Sequence, residues 1–88
     1  MRLDRYLFSI RLVKSRTLAQ ALIEAGNIRV DGKRVSKTSE EVRVGSVIVL
    51  PLHGKVRVLR ILSLPARRGP APEARLHYEE IDGAGTPT

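Results

Sequence analysis

Residues 15–35 read SRTLAQALIEAGNIRVDGKRV, and the spacing of apolar side chains changes partway through them. Up to Gly26 the pattern is helical. Leu18, Ala19, Ala21, Leu22, Ile23 and Ala25 share one wide face, and Arg16, Thr17, Gln20 and Glu24 share the other. Beyond Gly26, Ile28 and Val30 alternate with Arg29 and Asp31, which is the two-residue period of a strand. Ser15 is placed to cap the helix, because its hydroxyl can accept a hydrogen bond from an amide of the first turn. Gly26 supplies the stop. Asp31-Gly32 is a two-residue turn whose dihedrals need positive φ, so the chain should return through Lys33 to Val35 as a small hairpin. A helix that leads directly into a hairpin points to an α+β fold.

Towards the N-terminus, Leu3, Tyr6, Leu7, Ile10 and Val13 fall within an arc of about 120° at helical spacing. This predicts a first helix over Leu3–Val13, with Phe8 and Leu12 beside the stripe and in contact with a second packing partner. Lys14 and Ser15 alone join the helices, so the two should form a tight helical hairpin. Towards the C-terminus, residues 36–41 are polar, Val42 and Val44 precede Gly45-Ser46, and Val47–Leu52 reads as a buried strand. His53-Gly54 turns the chain into a second run over Lys55–Leu64, which Pro65 ends. Residues 67–72, RRGPAP, form a stiff basic connector, and Pro72-Glu73 opens a short helix over Ala74–Glu80. The expected architecture is a two-helix hairpin on a small, mostly antiparallel sheet, with a short C-terminal helix.

At 88 residues the chain supports one core. Area scaling predicts that folding hides about 64% of the extended surface, which is enough for one domain and too little for two. The expected domain spans 1–82, with a core over 1–64, a C-terminal segment over 65–82 and a disordered tail over 83–88. There is no cysteine, which excludes disulfides, thiolate metal sites and a cysteine nucleophile. The apolar runs fall well short of the ~20 residues that a membrane span needs. A cytoplasmic protein without a membrane partner is expected.

The net charge is +7, and it is unevenly placed. Residues 1–37 hold nine basic and three acidic side chains, whereas residues 38–88 hold seven and six. Such asymmetry favours a localised surface for a polyanion. Arg2 and Arg5 lie on the outer side of the first helix, Arg16 and Gln20 stand one turn apart on the second, and Arg29 and Lys33 flank the hairpin. Guanidinium forks suit phosphates, and Gln20 or Asn27 can reach sugar hydroxyls or base edges. Ser15, at the start of the second helix, either only caps it or also helps seat a phosphate. Arg11, Lys14, Lys37, Arg67 and Arg68 are secondary candidates. Asp4 reads as structural, favoured in the first turn by the helix dipole and close in helical phase to Arg11.

An enzyme is not expected. His53 and His77 lack the spacing of a metal pair or an adjacent nucleophile, and no glycine-rich phosphate loop is present. No metal, cofactor or small-molecule substrate is expected. With only Tyr6, Phe8 and Tyr78, a stacking platform for single strands is nearly absent, so structured RNA read by shape and backbone fits better.

From residue 2 to about 50 the order of features resembles the ribosomal protein S4-type RNA-binding domain. The resemblance is carried by Arg2-Leu3-Asp4 with Leu7, by Ser15-Arg16 with Ala19, Leu22-Ile23 and Gly26, and by Ile28, Val30, Gly32, Val35, Ser39, Val42, Gly45 and Val47. It implies two helices on a small bulged sheet that present a basic surface to folded RNA. The residues assigned to that surface are Arg2, Arg5, Ser15, Arg16, Gln20, Asn27, Arg29 and Lys33. Residues 67–74, RRGPAPEA, followed by Tyr78-Glu79-Glu80, are similar to a stretch in the small bacterial ribosome-associated heat-shock proteins of this family, although Tyr6 and Phe8 stand where that group usually carries tryptophans. The resemblance implies binding to large-subunit ribosomal RNA, with tRNA as a further partner, in ribosome rescue or recycling under stress; a monomer is expected. Two other readings stay open: an RNA-targeting module that works with a separate catalytic chain, and a general basic binder of nucleic acid or membrane surfaces.

Overall fold

The computed structural model describes residues 1–81. Asp82 and the tail expected over 83–88 lie outside them. In chain order the elements are α1 (Leu3–Ser9), α2 (Arg16–Glu24), β1 (Ile28–Val30), β2 (Lys33–Val35), β3 (Val47–Leu52), β4 (Lys55–Ile61), α3 (Ala71–Ala74), a 3-10 turn (Arg75–His77) and β5 (Tyr78–Glu80). The strands form one sheet in the order β2-β1-β3-β4-β5, and every neighbouring pair is antiparallel. Asp31 (φ 52°) and Gly32 (φ 86°) make the β1–β2 turn, and His53 and Gly54 make the β3–β4 turn in the same way. The first turn pairs Ile28 with Val35, Arg29 with Arg34 and Val30 with Lys33.

Alternation along the strands sends Ile28, Val30, Val35, Ile48, Leu50, Leu52, Leu59 and Ile61 to one face. There they pack with Leu3, Tyr6, Leu7 and Ile10 from α1 and its end, and with Ala19 and Ile23 of α2. The opposite face carries Arg29 and Arg34 beside half-buried Val47 and Val49. Among the described residues no helix is long and apolar enough to cross a membrane, and no cluster of three metal-ligating side chains occurs.

Three boundaries differ from the sequence reading, each for a physical reason. α1 stops at Ser9 instead of Val13 because Arg11 adopts φ 64°, and the amides of Arg11 and Leu12 turn back to the carbonyls of Phe8 (3.0 Å) and Leu7 (3.2 Å). That pair of bonds is a Schellman stop, with arginine where glycine is usual. Ile10 and Val13 still reach the core, so the apolar rhythm outlasts the helix. β4 ends at Ile61 because the Leu62 and Ser63 amides both turn to the His77 carbonyl (2.8 and 3.1 Å). The helix expected over Ala74–Glu80 is replaced by one α-turn over Ala71–Ala74, a 3-10 turn, and a strand that pairs Tyr78, Glu79 and Glu80 with Ile61, Arg60 and Leu59. An open sheet edge outweighs local helix propensity there.

The segment between β4 and α3 straps α1 down. Arg5 donates to the Ala66 carbonyl (2.9 Å), Arg11 donates to that of Gly69, and Arg68 donates to those of Phe8 (3.0 Å) and Val13 (3.3 Å). The Arg68 guanidinium also lies 4.5 Å from the centroid of the Phe8 ring, in cation–π range. This strap is the second packing partner expected for Phe8.

Candidate nucleic-acid interface

The junction of α1 and α2 is built around Asp4, whose side chain has no solvent exposure. A short bridge between Arg2 and Glu41 fixes the entry to α1, and the Leu3 amide donates to the Glu40 carbonyl (2.7 Å). From this position the Arg2 fork donates through Nε and Nη2 to the two Asp4 oxygens, both at 3.1 Å. Ser15 caps α2 by accepting from the Leu18 amide at 3.1 Å. The cap orients the next turns so that Arg16 Nη2 (3.2 Å) and Gln20 Nε2 (3.1 Å) meet the same carboxylate, while the Arg5 amide donates to Oδ1 (2.8 Å). Burial alone would raise the Asp4 pKa. Hydrogen bonds from Gln20, Arg16, Arg2 and the Arg5 amide outweigh burial and hold the carboxyl below its ordinary 3.8.

Arg11 is therefore not the partner of Asp4, because its place in helical phase disappears when α1 ends at Ser9. One carboxylate answers two guanidiniums, so the cluster keeps a net positive charge. The Arg2 and Arg16 side chains remain 45% and 44% exposed, held in place with donors facing solvent. Arg2 Nη2 also reaches Thr38 Oγ1 at 3.4 Å.

The remaining candidates are placed unequally. Arg29 is exposed and stands opposite Arg34, so the hairpin carries paired guanidiniums. Lys33 and Arg34 are both exposed and both line a shallow recess that also holds Asp31, Glu40 and Glu41. Asn27 is exposed between α2 and β1, and Lys37 and Arg67 are exposed in loops. The Arg5 side chain is engaged by the strap. Arg11, Lys14 and Arg68 line a different surface, on the far side of α2. Sequence reasoning passed over Arg34 and Thr38. Arg34 was legible, since a two-residue turn at Asp31-Gly32 sets it opposite Arg29; Thr38 lies in an irregular loop without a comparable signal.

An S4 domain family model matches residues 1–48, more than half of the chain. The chain belongs to the S4 domain family. Residues 49–81 add the rest of β3, β4, the strap, α3, the 3-10 turn and β5 to the S4 portion. The heat shock protein 15 homolog of Haemophilus influenzae is 34% identical over 84 residues, covering 96% of this chain and 63% of that protein. The small ribosomal subunit protein uS4 of Oenococcus oeni is 33% identical over 82 residues, 93% of this chain and 40% of that one. Among solved structures, the trimeric Vibrio cholerae heat shock protein 15 superposes with a TM-score of 0.86 at 33% identity, covering 92% of this chain and 81% of that chain. This S4 chain thus spans about three fifths of the length of its curated heat-shock relative.

Proposed function

We propose that the chain binds structured RNA without catalysing a reaction, with large-subunit ribosomal RNA as its target, tRNA as a further partner, and ribosome rescue or recycling under stress as its setting. The observation that carries the reading is the convergence of Arg2, Arg16 and Gln20 on buried Asp4, which pre-orders two half-exposed guanidiniums at the helix junction. Pre-ordered forks lose less side-chain freedom on meeting a phosphate. Arg29, Arg34 and Asn27 extend the basic surface along the hairpin, and the Arg16 and Ser15 end of α2 provides a seat for one phosphate. Likeness to heat shock protein 15 and to a small-subunit ribosomal protein supports a ribosomal partner. Aromatic placement supports folded RNA over single strands: Tyr6 is buried, Phe8 lies beneath Arg68, and Tyr78 is half-buried.

The test is Arg16→Ala, titrated against ribosomal RNA with duplex DNA as competitor. A charge-assisted contact should be worth roughly 1–3 kcal/mol of affinity. Equal affinity of variant and wild type would remove Arg16 from the interface, and preference for DNA would overturn the RNA reading.

A further inference from the structure

α2 carries more apolar surface than the core uses. Of its wide apolar face only Ala19 and Ile23 are buried, while Leu18 remains 49% exposed and Ala21 and Ala25 are exposed. With half-buried Leu22 these residues form a second arc, centred roughly 170° around the helix from Arg16 and Gln20. The arc faces a groove of about 910 Å³ whose opposite wall includes Pro51 at the end of β3. Arg11, Lys14 and Arg68 rim the groove, and among the described residues no carboxylate lines it. Among the described residues Arg11 and Arg68 donate to neutral carbonyls and form no ion pair.

We propose that this groove docks an amphipathic helix of an acidic protein partner, with apolar side chains against α2 and carboxylates on the Arg11, Lys14 and Arg68 rim. Small residues at Ala21 and Ala25 let a partner backbone approach closely, and the arc spans two helical turns, the length over which an i, i+3, i+7 stripe repeats. A polynucleotide fits the groove poorly, since among the described residues its walls are mainly aliphatic and offer His53 as their one aromatic ring. The solved relative is trimeric, but a second copy would bring a net charge of +7 to a cationic rim, so an acidic partner is the better charge match for this groove. The site is separate from the RNA surface and does not rest on that assignment, because the two lie on opposite sides of α2.

The probe is a synthetic helical peptide with leucines at i, i+3 and i+7 flanked by glutamates, alongside a twin in which every Glu is Lys, each titrated by fluorescence anisotropy into the 88-residue chain. The Glu peptide should bind and the Lys twin should not. Leu18→Gln and Ala21→Glu should each weaken binding about tenfold or more, with folding verified by circular dichroism. Because Leu18→Gln changes no charge, it should leave ribosomal RNA affinity as it was, while Arg16→Ala should weaken RNA and leave the peptide bound. The proposal is overturned by equal binding of the two peptides or by unchanged peptide affinity in both groove variants. Two further results would also sink it: loss of RNA binding in Leu18→Gln, which assigns the groove to RNA, or dissociation of a self-assembled species by that variant in sedimentation, which assigns it to a second copy.

Discussion

Asp4 is a fully enclosed carboxylate that accepts five hydrogen bonds from four residues, so its contribution to stability is tied to its ionisation. Its folded pKa is lowered, which means that on acidification the unfolded chain takes up the proton first. The contribution is whole above pH 3.8 and is lost as pH falls through the lower folded value. Asp4→Ala should cost about 2 kcal/mol, less than breaking a sealed ion pair, because Arg2 and Arg16 can turn to water. Urea titrations at neutral and acid pH should show the variant converging on wild type as pH drops. Tyr6 gives the opposite sign. Burial first, and then the neighbouring Tyr78, raise its pKa above the ordinary 10.0, so stability is whole below pH 10 and falls as pH rises beyond it. Its hydroxyl donates to the His77 carbonyl at 2.9 Å. Tyr6→Phe should lose about 1 kcal/mol near neutrality and show a smaller alkaline decline, measured by thermal melts across pH.

At the scale of elements, the hairpin was legible in the sequence down to its register, because a two-residue turn leaves one pairing that buries Ile28, Val30 and Val35 together. The end of α1 was not legible. A stop made by arginine at positive φ depends on a distant carbonyl, that of Gly69, to hold the side chain. β5 was hidden for a related reason: Ala74–Glu80 has helical composition, and only the edge of β4 draws its last residues into a strand. The α2 arginine was identifiable as a surface cation, but its meeting with Arg2 over Asp4 required the packing of two helices. The strap itself gives a test. Arg68→Ala removes two hydrogen bonds and a cation–π contact, and should destabilise the fold by about 1–2 kcal/mol. Native-state exchange should quicken at the Arg11 and Leu12 amides, which close the Schellman stop.

For the whole molecule, excess charge concentrated in the first 37 residues makes association with a polyanion a matter of ion release. Log affinity for RNA should fall linearly with log salt, and Arg16→Ala should flatten that slope by about one. A slope unaffected by the substitution would mean that Arg16 contacts no phosphate. The distribution also explains how one small core can serve two surfaces. Ala19 and Ile23 are the buried apolar anchors of α2, helped by half-buried Leu22, which leaves half-exposed Arg16 on one side and exposed Leu18, Ala21 and Ala25 on the other.

The strap has a consequence for the order in which the chain is made. α1 is synthesised first, yet the carbonyls that fasten it belong to Ala66, Gly69 and His77. During translation these three bonds cannot close until residues 66–77 have emerged, whereas the Asp4 cluster that aims Arg2 and Arg16 draws only on residues 2–20. The fastening of α1 is therefore a later event than the ordering of Arg2 and Arg16, timed by the emergence of residues 66–77 and not by the appearance of the charged residues.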